Sequence, residues 1–87
     1  MITARLIDNI WATRKADSLQ GFKFMLAEEI GGSCEGRRIV VIDNIGAGIG
    51  DRVIVSTGSA ARRMLGSDDI PVDSAVIGII DQDCNFK

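Results

Sequence analysis

The sequence contains no histidine and no tyrosine, one proline, one tryptophan, three phenylalanines and two cysteines. Without histidine, the commonest general base at neutral pH is missing, and so are the usual mixed Cys/His zinc sites. The cysteines, Cys34 and Cys84, lack the C-x-x-C spacing of a metal or redox motif and read as reduced thiols of a cytoplasmic protein. Few aromatics mean few stacking platforms for nucleic-acid bases. No apolar run approaches the roughly 20 residues that span a bilayer, and the opening MITARLIDNI carries charges where a signal peptide needs a continuous apolar stretch.

What is present is apolar. The chain has 87 residues, one domain's worth, of which 46% are hydrophobic, with a mean hydropathy of +0.19. A fold of this size buries only about 60 to 65% of the surface its unfolded chain exposes, so some apolar wall must be covered from outside. Ten basic and twelve acidic residues are interspersed, giving a net charge of -2. No basic stripe marks a nucleic-acid face, and the membrane is not a partner on this reading.

The pattern along the chain is mostly β. Alternation from Ile2 through Thr13 predicts a long first strand, kinked near Asp8-Asn9, and a polar loop follows from Arg14 to Gly21. Phe22–Ala27, Arg38–Ile42 and Arg52–Thr57 read as the second, third and fourth strands, with a turn over Gly31–Gly36. One helix is predicted in Gly58–Gly66, capped by Ser59, with Arg62 and Arg63 at the negative end of its dipole and Gly66 stopping it. A polar loop closed by Pro71 leads to a fifth strand within Val72–Asp81. Five strands with a short helix between the fourth and fifth predict an all-β fold, a small OB-like barrel. Ile39–Ile42 and Val76–Ile80 are apolar on both faces, so copies of the chain are expected to cover the outward side.

Four motif matches fail on inspection. In Asp43-Asn44-Ile45-Gly46-Ala47-Gly48-Ile49-Gly50-Asp51 the third glycine of G-x-G-x-x-G falls on Asp51, and a β-branched run follows where a nucleotide loop opens a helix. Strand, glycine loop, strand reads instead as a hairpin. Gly31 to Gly36 has P-loop spacing, but Arg37-Arg38 stand in place of Lys-Ser/Thr. The tail Asp81-Gln82-Asp83-Cys84-Asn85 starts like a calcium loop, yet Phe86 follows where glycine is needed. Ser56, Thr57 and Ser59 have no base in any recognisable relation to them. No cofactor and no metal is expected. Trp11 reads as a packing or interface aromatic.

Taken together, Ala12-Thr13-Arg14-Lys15 with Leu19 and Gly21, Asp43 with Gly46-Ala47-Gly48-Ile49-Gly50, Thr57-Gly58-Ser59-Ala60-Ala61-Arg62, and Pro71-Val72-Asp73 with Ala75, Val76 and Gly78 form a pattern. It resembles the vertex proteins of bacterial microcompartments, of the carboxysome and ethanolamine-utilisation type, over nearly the whole chain. Three departures stand out: Trp11 replaces a smaller aliphatic residue, Asp51 replaces a glutamate, and the tail after Asp81 is short. The resemblance implies a non-enzymatic homopentamer at the five-fold corners of a polyhedral shell in the cytoplasm, partnered by hexameric shell proteins. It also places Gly46, Ala47, Gly48, Ile49, Gly50 and Asp51 near the ring axis or a subunit contact, where glycine permits close backbone approach. Thr13, Arg14, Lys15, Ser59, Arg62 and Arg63 are candidates for subunit or shell contacts. The alternative is an OB-like module binding single-stranded nucleic acid.

Overall fold

The computed structural model describes residues 1–66 and 71–84; most of the polar loop ahead of Pro71, and Asn85 of the calcium-like tail, lie outside the described residues. Five strands, β1 (Ile2–Ile10), β2 (Lys23–Glu29), β3 (Arg38–Asp43), β4 (Arg52–Thr57) and β5 (Ser74–Ile79), and one helix, α1 (Ser59–Met64), make up the fold. The strands close into a barrel in the order β1-β2-β3-β5-β4. All neighbouring pairs are antiparallel except β3 and β5, which run parallel and meet at Ile42 and Ala75.

Alternation sets the inside. Ala4, Leu6, Met25, Ala27, Val41, Val53, Val55 and Val76 fill the barrel and are buried completely or nearly so. Side chains of period two reach one face only, and a single extra residue in β1 preserves this: the register against β2 shifts between Leu6 and Asp8, so Ile7 is the bulge. This is the predicted kink, one residue earlier than expected. β1 ends at Ile10 rather than Thr13, where its ladder with β2 closes on the Ile10–Phe24 pair. Trp11, Ala12 and Thr13 therefore leave the sheet. β2 runs on to Glu29, and β5 is shorter than expected, although the Ile80 N–H still donates to the Arg52 carbonyl at 2.8 Å.

The hairpin expected around the glycine loop is not there. β3 and β4 are not neighbours; β5 lies between them, and β4 pairs with β1 on its other side. Residues 44–51 are thus a crossover at one end of the barrel, and the hairpin is instead the β2–β3 turn. That turn is tied by Gly36 N–H to the Glu29 carbonyl and Glu29 N–H to the Arg37 carbonyl, both 2.8 Å. The P-loop-like spacing of Gly31 and Gly36 belongs to it.

Ser59 does not cap α1. Gly58 holds the N-cap position, no side chain caps the helix, and Ser59 is its first residue. Arg62 and Arg63 do lie in the last turn, and Leu65 follows as the C-cap.

Candidate assembly surface

Two features stand out, one on an outer wall of the barrel and one at its end. Across β1, β2 and β3 the ladders align Ile10, Phe24 and Ile42 in one row and Asp8, Leu26 and Val40 in the next. These rows alternate with the inward Met25 and Val41, so they form the outside. The chain covers part of this wall itself: Ile42 and Val72 make a second buried cluster, against which Leu19, Phe22, Phe24 and Leu65 pack. The segment after β1 and the end of α1 are thereby brought together. Val40 remains 53% exposed. The excess apolar surface anticipated from composition is real, but it is smaller at β3 than the sequence implied.

Lys15 belongs to the same wall. Its ammonium sits 5.0 Å from the centre of the Phe24 ring and donates to the Phe22 carbonyl at 3.4 Å. Both contacts suit a cation whose stem lies on apolar surface. Thr13 and Arg14 are exposed beside it. Arg62, a candidate contact residue, is tethered within the chain: Nη1 donates to the Val72 carbonyl at 3.1 Å. Arg63 and Ser59 are exposed on the same helix. Of the residues considered as nucleophiles, Ser56 is buried in β4 opposite Ala75, and Thr57 is exposed opposite Ser74.

The glycine loop is the second feature. It is stitched to β1 by Gly50 N–H to the Leu6 carbonyl at 2.7 Å and Leu6 N–H to the Asp51 carbonyl at 2.9 Å. Inside the loop, the Gly48 N–H donates to Asp51 Oδ2 at 2.9 Å, so aspartate is long enough for this contact. Gly46 and Gly50 have φ of +90° and +92°, a region that side-chain-bearing residues rarely enter. Gly48 does not. Ala47 is buried against the barrel core, while Ile49 points outward, 58% exposed.

What sequence reasoning missed is the group that holds this loop down. Lys23 and Asp43 are cross-strand partners, with Nζ 3.5 Å from Oδ2 and the Asp43 side chain wholly buried. Asp43 Oδ1 accepts the Ile45 N–H at 3.1 Å, and Lys23 Nζ also donates to the Ala47 carbonyl at 2.8 Å. At the other end of the barrel Arg37 pairs with the buried Glu29 at 3.0 Å. A signal existed in the opposite charges of Lys23 and Asp43, but their pairing depends on register, which local pattern does not supply.

The described residues form a small closed β-barrel with a pinned glycine crossover and a partly uncovered apolar wall. The chain belongs to the EutN/CcmL family: the family model described as "Ethanolamine utilisation protein EutN/carboxysome" matches residues 1–81. It is 39% identical over 83 residues to the bacterial microcompartment shell vertex protein GrpN of Rhodospirillum rubrum, covering 93% of each chain. It is 40% identical over 83 residues to the carboxysome shell vertex protein CcmL of Thermosynechococcus vestitus, covering 93% of this chain and 84% of that one. Among solved structures, the GrpN pentameric microcompartment shell protein from Rhodospirillum rubrum superposes with a TM-score of 0.82 at 36% identity, over 94% of this chain and 95% of that one.

Proposed function

We propose that this chain is a single-domain, non-enzymatic shell protein whose homopentamer caps the five-fold vertices of a cytoplasmic bacterial microcompartment, next to hexameric shell proteins. The carrying observation is the uncovered outer wall around Val40 and Leu26, in a fold shared with a pentameric shell protein at 36% identity. Apolar surface of this kind is favourable to bury against another copy at about 25 cal/mol per Å². In a ring each subunit contributes two different patches, so the contact is heterologous and closes on itself. The crossover 46–51 is assigned to the neighbourhood of the axis or to a subunit contact, with Ile49 as its apolar tip. The basic segment Thr13–Lys15 and the α1 residues Ser59, Arg62 and Arg63 are assigned to the contacts between subunits or with shell neighbours.

The single-strand nucleic-acid reading has less support. Phe22 and Phe24 pack against the outer cluster instead of presenting a row of rings.

Native mass spectrometry of the purified chain tests the proposal, with five chains per particle as the expected result and a persistent monomer as the refutation. Co-expression with a hexameric shell protein tests the vertex role. Closed polyhedral particles are expected with the chain present and open sheets or tubes without it.

A further inference from the structure

A strip of surface lies where β1 leaves the barrel. Trp11, 86% exposed, stands at the rim of a groove that also includes Ile10, Phe22, Phe24, Lys15 and Lys23. Its floor is apolar, since Ile10 and Phe24 face each other across the ladder. Its edges are cationic: Lys15 lies over the Phe24 ring, Lys23 lines the same groove, and Arg14 is exposed next to it. Lys23 is already paired with the buried Asp43, and Asp8 and Asp17 are exposed on neighbouring segments, so the cationic edge is carried by Arg14 and Lys15. An apolar groove with the Arg14-Lys15 pair at its edge suits an acidic partner surface.

Such a surface exists on the chain itself. Just past β5, the Asp83 N–H donates to Asp81 Oδ1 at 2.9 Å. Arg52 Nη2 donates to the Asp81 and Gln82 carbonyls at 2.9 and 3.2 Å. The turn therefore has a fixed shape, and its carboxylates form no ion pair among the described residues. Ile79, 49% exposed, precedes it. It cannot reach the groove of its own protomer. Arg52 is opposite Arg5 on β1, and the six residues from Arg5 to Trp11 span about 20 Å of extended chain.

We propose that the groove beside Trp11 receives the acidic turn Asp81–Cys84 of the neighbouring copy, Trp11 covering apolar surface near Ile79 while Lys15 faces Asp83. The contact presupposes the ring proposed above and supplies its two unlike patches: one at the exit of β1, the other at the end of β5.

The test uses the full chain as wild type, Lys15→Glu, Asp83→Lys and the double charge swap K15E/D83K. The ring's dissociation midpoint is read by sedimentation over a dilution series. Each single variant is expected to raise the midpoint tenfold or more, and the swap to return it to within about threefold of wild type. Trp11, the sole tryptophan, gives an independent readout in the unmodified chain: its emission should shift to the blue and resist quenching on assembly. Single variants with an unchanged midpoint, a swap without recovery, or an intact ring whose Trp11 stays open to quencher would each overturn the proposal while leaving the ring standing. A wild-type chain that remains monomeric throughout the series would remove the ring itself.

Discussion

Lys23 stands directly across the β2–β3 ladder from Asp43 and reaches past it to the carbonyl of Ala47, 2.8 Å away in the glycine crossover. One ammonium thus neutralises a buried carboxylate and fastens the loop. Asp43 Oδ2 has no hydrogen-bond partner, so the lysine is its main compensation. Removing one member of a buried pair leaves an uncompensated charge, although the 45% exposure of the Lys23 side chain moderates the effect. Lys23→Met should destabilise the protomer by about 2 kcal/mol and lower its thermal midpoint by about 10 °C. Adding Asp43→Asn should recover much of the loss. Urea titration of wild type, Lys23→Met and the double variant decides this; a Lys23→Met variant indistinguishable from wild type would show that the latch is ornamental.

Two glycines of one loop should behave differently. Gly50→Ala forces a side chain into φ of +92° and should destabilise the barrel itself by about 1 to 3 kcal/mol. Gly48 has no such backbone demand, and a Cβ there would lie 3.9 Å from Asp51 Oδ2, an ordinary contact. A Cβ alone is therefore tolerated within the protomer, and Gly48→Val adds bulk chiefly where a neighbouring copy would lie. The expected outcome is a folded barrel that no longer elutes as a ring; an intact ring would remove this loop from the crowded region around the axis.

Core and outer wall should separate in the same way. Leu6 is fully buried, so Leu6→Ala should cost about 2 to 5 kcal/mol by opening a cavity. Val40→Asp is on the exposed side of β3 and should change protomer stability by only about 0.5 kcal/mol, yet abolish assembly. Denaturation and size-exclusion measurements on both variants make the comparison, and equal losses of assembly and stability in Val40→Asp would count against an interface at this wall.

Oligonucleotide binding is expected to be absent. A gel shift at low salt is the most permissive condition, because phosphate contacts strengthen as salt falls. A shift that weakens progressively with added salt would revive the nucleic-acid reading.

Much of the protein is visible in local pattern. Leu6 falls on the inner face of an alternating strand, and the helix between β4 and β5 follows from a compact run of alanine, arginine and leucine; which face of the unbroken apolar runs 24–27 and 39–42 turns inward was not legible. The candidate residues of the crossover were legible as glycines, but the purpose of each was not: the φ values separate Gly46 and Gly50 from Gly48, and nothing in the letters does. The Ser59 cap failed for a related reason. A capping side chain must occupy the N-cap position, and the chain path gives that position to Gly58.

The sequence by itself determined which segments are strands and that their combined apolar surface exceeds what so short a chain encloses, because both follow from composition and periodicity within a few residues. Only the tertiary structure decided that β5 slips between β3 and β4, turning an apparent hairpin into a crossover, and that Lys23 meets Asp43. Those outcomes depend on pairings between residues about 20 or more apart in the chain, and a strand's hydrogen bonds are equally satisfied by any partner of suitable register until the shared core selects one.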